Sequence, residues 1–192
     1  FGVNMNPNLM SIPGRVLNGE QILFGRGKIA DYDAASADWT PAIRNSEMYA
    51  NETCNKWALT FPRKVSQEVA AFLKLMVEVA NGFNYQMAQP KMIELNDDRV
   101  NTYANEVGEL VKKDPKLIMC VFMGPAPSNA VRYATIKKLT AVTNAIPTQC
   151  ILSKTITPKR GANISTLKSV ATKVVMQINC KLGGAPWMVR NK

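Results

Sequence analysis

Histidine is missing altogether from these 192 residues. Its absence removes Ser-His and Cys-His nucleophile pairs and most transition-metal sites. Cysteine is scarce and scattered. Cys54, Cys120, Cys150 and Cys180 form no CxxC pair, so neither a disulfide framework nor a zinc site is encoded. Cys120 and Cys150 sit inside apolar runs and read as small buried thiols, which points to a reducing compartment. No apolar run reaches the length of a membrane span, and the start, Phe1 to Asn4, is not a signal peptide. The phosphate-loop pattern GxxxxGK(S/T) and the dinucleotide pattern GxGxxG are both absent, and Gly25-Arg26-Gly27 is too short for either. Acids are few, 14 against 24 lysines and arginines, which leaves a net charge of +10. The carboxylates are scattered. Asp97-Asp98 read as a helix cap, Asp31, Asp33 and Asp38 lie in a loop-rich stretch, and no spacing asks for an acid–base pair.

What is present suits a folded domain. A 192-residue chain with 46% hydrophobic residues fits one domain, or one domain with a structured arm, and buries a core without staples. It opens without Met and closes on Arg190-Asn191-Lys192, so it reads as a piece of something larger. The basic balance favours a polyanionic partner, nucleic acid first, over a merely solvated basic face.

Residues 1–55 lack sustained periodicity and carry Pro7, Pro13, Gly14, Gly19, Gly25, Gly27 and Pro41. They are expected to form an irregular arm that packs on a neighbour. From Lys56 the pattern changes. Trp57–Phe61 is a short apolar run stopped by Pro62, so a strand. Ser66–Ala80 places Val69, Phe72, Leu73, Leu75, Met76 and Val79 at helical spacing. Lys91–Leu95 is a second strand, and Arg99–Lys112 a second helix with Asp97 or Asp98 near its cap. Lys116–Phe122 is a strand buried on both faces. Asn129–Val142 is a third helix, Pro147–Leu152 a fourth strand, and Ser165–Asn179 a fourth helix that Gly183-Gly184 breaks. This alternation predicts an α/β fold, a Rossmann-like parallel sheet of about four strands covered by helices. Such sheets bind ligands beyond the carboxyl ends of their strands, so the loops after Phe122 and Leu152 are the places to look.

Several residues in these elements can carry chemistry. The loop Met123–Asn129 is rich in Gly and Pro, and Ser128 or Asn129 can cap the next helix. Tyr133 and Lys137, four apart, share a helix face. A Tyr ring can stack on a base and a Lys one turn on can neutralise a phosphate. Taken alone, a half-buried Tyr beside a solvated Lys is the simpler reading. Lys173, Gln177 and Lys181 form a polar stripe at i, i+4 and i+8, opposite Val170, Val174 and Ile178. Such a stripe is ordinarily the wet face of an amphipathic helix. A Gln between two lysines also suits an oxyanion or a metal's inner shell. Gln149 lies in an apolar strand and needs a partner for its amide, either local backbone or a ligand.

Together these segments resemble a known family. Tyr133 to Lys138, Ile146 to Cys150, and Val170 to Gly184 with Trp187 shortly after, are similar to the MID domain of Argonaute proteins, of the PIWI clade rather than the AGO clade. Upstream, Pro13 to Leu17, Asp38-Trp39-Thr40 and Arg44-Asn45 resemble the linker that precedes MID in PIWI proteins. The resemblance implies an arm at 1–55, a MID domain at 56–185, and the start of the following PIWI domain at 186–192. It implies that Tyr133, Lys137, Gln149 and Lys181 grip the 5′ phosphate of a single-stranded small guide RNA, with Lys173 as a further phosphate contact. Tyr133 would stack on the first base, and Ser128, Asn129 and Ala130 would read it, with a leaning toward uridine. Gln177 matches the position that contacts Mg²⁺ in PIWI proteins, so a Mg²⁺ bridging guide phosphates is expected. The remaining expectations are a binding module whose RNA cleavage belongs to the following domain, contacts with other domains of the same Argonaute chain, no membrane partner, a monomer, and a cytoplasmic (germ-granule) or nuclear location. A Rossmann-like enzyme acting on a nucleotide or phosphorylated metabolite is the alternative, disfavoured by the absent glycine fingerprint and histidine.

Overall fold

The computed structural model describes residues 2–16, 18–30, 32–33, 35–124, 126–158 and 164–190. Leu17 and Asp31 of the arm and Pro125 of the Gly/Pro loop, named above, lie outside the described residues. Four parallel strands form the central sheet: β2 (Trp57–Pro62), β3 (Lys91–Leu95), β4 (Leu117–Phe122) and β5 (Thr148–Leu152), in the order β3-β2-β4-β5. The expected α/β architecture is therefore present. All residues of β2 and β4 are buried, as unbroken apolar runs with helices on both faces require. β3 and β5 are the sheet's edges.

Helices cover the sheet on both faces. On one, α2 (Ser66–Gly82) and α6 (Ile164–Lys181) pack over Leu59, Phe61, Met119, Val121 and Ile151. The buried stripe of α2, namely Val69, Phe72, Leu73, Met76, Val79 and Ala80, follows the helical period read from the sequence. On the other face, α3 (Val100–Val111) and α4 (Ala126–Lys137) pack over Ala58, Ile118, Cys120 and Phe122 through Tyr103, Val107, Leu110 and Ile136. A short α5 (Ser153–Ile156) follows β5 directly.

Three expectations change in detail. β2 runs through Pro62, which pairs with Leu95 at the strand's end, and a 3₁₀ turn (Arg63–Val65) takes the chain into α2. The third helix starts at Ala126, so Ser128 and Asn129 lie inside its first turns instead of capping it. It leaves α geometry after Lys137 for a π-helical segment, Lys138–Val142. Asp97 alone behaves as the predicted turn residue, accepting from the Arg99 N–H (3.0 Å) and the Thr102 hydroxyl (2.6 Å). Asp98 instead faces inward and pairs with Arg132 of α4 at 2.7 Å.

The N-terminal region is tied to the far end of the chain. β1 (Gln21–Leu23) pairs antiparallel with β6 (Met188–Arg190), and α1 (Thr40–Arg44) follows in the arm. Trp39 packs edge-on against both Tyr32 and Trp187, over a small core of Ile22, Phe24 and Ala30. Residues 48–52 dock on the end of α6 through Asn179, whose side chain is fully buried. Its amide accepts from the Glu52 N–H (2.9 Å) and donates to the Ala50 carbonyl (2.8 Å). Gly183, at φ +105°, turns the chain out of α6. Gly184 then passes so close to Asn179 that any Cβ there would overlap its amide. Gly184→Ala is expected to lower unfolding free energy by about 2 kcal/mol in urea titrations. Gly108→Ala, in the interior of α3 with open space around it, is expected to raise it by up to about 1 kcal/mol. The opposite signs check the close approach.

Candidate nucleic-acid interface

The edge strand β5 lies between α4 on one face of the sheet and α6 on the other, and its outer edge carries no further strand. Side chains alternate along β5. Thr148 and Cys150 therefore face α4, and Gln149 faces α6. In a parallel ladder only alternate residues bond to a given neighbour. Ile118 donates to the Pro147 carbonyl, which leaves the Thr148 carbonyl turned to the open edge.

Two lysines meet at that carbonyl. Lys137, at the last turn of α4, donates to the Thr148 carbonyl (3.1 Å) and hydroxyl (2.6 Å). Lys181, at the last turn of α6, donates to the same carbonyl (2.8 Å) and to Gln149 Oε1 (2.5 Å). Lys181 sits at the end of its helix, where the dipole is negative and favours a cation, whereas the π-helical segment Lys138–Val142 continues beyond Lys137. Gln149 Nε2 in turn donates to Gln177 Oε1 at 3.1 Å and to the Cys150 carbonyl at 3.4 Å. Tyr133 lies one turn before Lys137 with its ring 51% exposed, and the Lys137 ammonium stands 5.6 Å from the ring centroid. Tyr133, Lys137, Gln149, Gln177 and Lys181 thus come together from three elements, α4, β5 and α6. Lys173 is exposed on α6 and makes no hydrogen bond or ion pair among the described residues.

The charge here is uncompensated. Among the described residues no carboxylate pairs with Lys137 or Lys181. Desolvation and then the like charge of Lys137 hold the Lys181 ammonium below the ordinary lysine value. Each ammonium has three N–H donors and spends two on the protein, which leaves one apiece for an outside acceptor. The pair therefore offers two spare donors and uncompensated positive charge, a chemistry that suits an anion.

Beside it runs an open groove of about 310 Å³, lined by Phe122, Asn129, Ala130, Tyr133, Cys150, Ile151 and Leu152. Its walls are mostly apolar, and Tyr133 forms the side nearest the lysines. Asn129 is buried and its amide is committed, donating to the Gly124 carbonyl (2.8 Å) and accepting from Arg132. Ser128 is exposed, and it does not line the groove. The location differs in part from the expectation. The groove does lie at the carboxyl ends of β4 and β5, but the lysine pair lies at the amino end of β5 and at helix C-termini. Two side-chain amines reach there, whereas the helix N-terminus offers only backbone N–H groups.

Two contributors escaped sequence reasoning. Thr148 supplies both acceptors that gather the lysines, yet a Thr inside an apolar strand carries no signal of its own. The pair of half-buried Asp98 and buried Arg132 fixes the loop between β4 and α4. Asp98 accepts from the Met123 N–H (2.9 Å), and Arg132 donates to the Met123 carbonyl (2.7 Å). Gly124 turns here at φ +90°, and a Cβ added to it would stand in ordinary contact with both side chains. Cys180 is exposed, because it lies on the outer face of the last turn of α6. Among the described residues no three acidic or cysteine side chains gather as a metal site, and no helix is long and apolar enough to cross a membrane.

Comparison with known proteins bears on this geometry. The family model described as the Piwi domain matches residues 117–192, from the first residue of β4 onward. The protein aubergine of Drosophila melanogaster is 36% identical over 189 residues, 98% of this chain and 21% of that protein. A crystal structure of Drosophila Piwi superposes with a TM-score of 0.78 at 33% identity, covering 91% of this chain and 23% of that one. A crystal structure of a MID domain from Arabidopsis thaliana covers 72% of this chain and 95% of its own, with a TM-score of 0.51 at 17% identity, and so shares the fold. The chain spans about a fifth of the length of the curated relatives it matches.

The depressed Lys181 gives the anion site a pH signature. An anion restores the protonated ammonium, so binding draws in protons as pH rises toward the ordinary lysine value of 10.5. Calorimetry of inorganic phosphate binding in buffers of different ionisation enthalpy is expected to show proton uptake that grows as pH rises toward that value. Affinity should fall over the same window, and Lys181→Met should remove the growth. A pH-independent affinity there would contradict the assignment.

Proposed function

Because this chain belongs to the Piwi-type Argonaute proteins, we propose that it holds the 5′ end of a small single-stranded guide RNA. The carrying observation is the convergence of Lys137 and Lys181 on one edge carbonyl, with no carboxylate, beside the exposed Tyr133 ring. In this reading the 5′ phosphate accepts the spare N–H of each lysine and bonds to the Gln149 amide. The first base leaves the RNA stack and lies on Tyr133 in the apolar groove. Lys173, about 12 Å along α6 from Lys181 at 1.5 Å per residue, meets a later phosphate.

The magnitudes suit such a site. A hydrogen bond to a charged group contributes about 1.5–3 kcal/mol net, and stacking a base on an aromatic ring about 1–3 kcal/mol. The Asn129 amide is engaged by Gly124 and Arg132. Any preference for uridine therefore rests on groove shape and on the backbone around Ser128 and Ala130. The role is one of binding, and the module is the sheet-and-helix unit of residues 56–185, with residues 1–55 as its arm and 186–192 leading into a following domain.

The fit to Mg²⁺ is conditional. The chain offers one neutral oxygen, Gln177 Oε1, which here accepts from Gln149. Among the described residues no group of three or more Cys, Asp or Glu side chains gathers to hold a metal ion. Mg²⁺ is commonly held by few protein oxygens together with phosphates, so Gln177 would hold it only alongside bound phosphates. The ion would there neutralise phosphate charge that the two lysines leave uncovered.

The test is fluorescence polarisation with short single-stranded RNA. A 5′-phosphorylated strand is expected to bind at least about tenfold tighter than its 5′-hydroxyl counterpart. Lys137→Ala or Lys181→Ala should each remove most of that difference, while Lys64→Ala on the remote 3₁₀ turn should not. Equal binding of the two strands would defeat the reading, and equal losses in all three variants would reduce it to diffuse electrostatics. Mg²⁺ is expected to tighten the phosphorylated strand only, and Gln177→Ala to abolish that increment. Among the four nucleoside 5′-monophosphates, uridine monophosphate is expected to bind best.

A further inference from the structure

Two thiols stand side by side at the groove, and the proposed RNA contacts use neither. Cys120 of β4 lies directly opposite Cys150 of β5 in the parallel register. Residues opposite each other leave the sheet on the same face, here toward α3 and α4. Neighbouring strands lie about 4.8 Å apart, inside the Cα separation of about 4.4–6.8 Å that a disulfide spans. The two positions differ in access. Cys120 is fully buried, whereas Cys150 is half-buried and lines the groove.

Their surroundings differ as well. The Cys120 thiol donates to the Cys150 sulfur, and Lys137 and Lys181 add positive charge. These hold the Cys150 thiol below its ordinary value, against the opposing effect of burial. Cys120 is correspondingly pushed well up and keeps its proton. Burial pushes Cys54 up to about 12. Desolvation also raises Cys180, although it is the most exposed of the four. Accessibility alone would therefore rank Cys180 first, and the local chemistry ranks Cys150 first.

We propose that Cys150 is a modification site: a nucleophilic thiol facing the groove that takes soft electrophiles and, with hydrogen peroxide as oxidant, closes a disulfide with Cys120. In the peroxide reaction the Cys150 thiolate attacks one oxygen, the O–O bond breaks, and hydroxide leaves. The product is a sulfenic acid. The Cys120 sulfur then displaces hydroxide from that sulfur, and the Cys120 proton joins it as water. Two thiols lose two electrons in all, and one peroxide becomes two waters. None of this requires nucleotide. A bound 5′-nucleotide would nonetheless cover the groove and neutralise the two lysines, so it should slow the reaction.

Limited alkylation of the 192-residue chain with iodoacetamide, followed by peptide mapping, tests this at each cysteine separately. At neutral pH Cys150 is expected to react on the order of tenfold faster than Cys180, and uridine 5′-monophosphate to slow Cys150 without slowing Cys180. Peroxide treatment should yield a bridged Cys120–Cys150 peptide. In Cys120→Ala it should instead leave a Cys150 sulfenic acid that dimedone traps. Cys180 reacting first, or Cys150 reacting only in denaturant, would overturn the proposal. A fast Cys150 that ignores the nucleotide supports the thiol assignment and counts against the nucleotide reading of the groove, so the two failures are distinguishable.

Discussion

The backbone carbonyl of Thr148 accepts from Lys137 and Lys181, which approach it from opposite faces of the sheet. That shared acceptor is a consequence of topology. β5 is an edge strand, so alternate carbonyls have no strand to bond with and need donors from elsewhere. α4 and α6 end on either side of it, each with a lysine in its last turn. The edge is thereby closed to further strand pairing, and two like charges are brought together with nothing among the described residues to offset them. Desolvation and then that repulsion lower Lys181, and a bound anion would relieve the second of these. One local arrangement thus both caps the sheet edge and gathers the charge on which the proposed anion site rests.

The groove depends on a second, largely buried arrangement. Asp98 and Arg132 clamp Met123 by its N–H and carbonyl, and Arg132 also engages Asn129. Buried ion pairs contribute little to net stability, but removing one partner strands the other charge. Here the pair fixes the entry into α4 and so the position of Tyr133 relative to β5. The same helix carries Ile136 into the core and Lys137 to the edge. The π-helical stretch after Lys137 lets Thr140 reach Thr148 while the chain turns toward β5.

Much of the fold could be read from the sequence. The apolar runs Trp57–Phe61 and Lys116–Phe122 and the helical stripe from Val69 to Val79 are strong signals, and they placed the sheet and its covering helices. The arm's pairing with β6 was not legible, because Gln21–Leu23 and Met188–Arg190 are each three residues long and 165 positions apart in order of chain. The site was legible only in pieces. Spacing put Tyr133 with Lys137 and Gln177 with Lys181, but only the resemblance joined the two helices to Gln149. General rules for α/β sheets pointed to the carboxyl end, and this located the groove but not the lysines. Thr148 carried no signal and Asp98 was read as a helix cap, because their roles depend on which partners the fold brings to them.

The central claim is that one nucleotide spans the groove and the lysine pair at the edge of β5. Backbone amide chemical-shift mapping with uridine 5′-monophosphate tests it most directly. The account predicts shifts concentrated on Ala130 to Lys137, Thr148 to Leu152 and Gln177 to Lys181, with uridine alone producing far weaker changes. Shifts centred elsewhere, as around Lys64 and Lys74, or identical maps from uridine and its monophosphate, would contradict it.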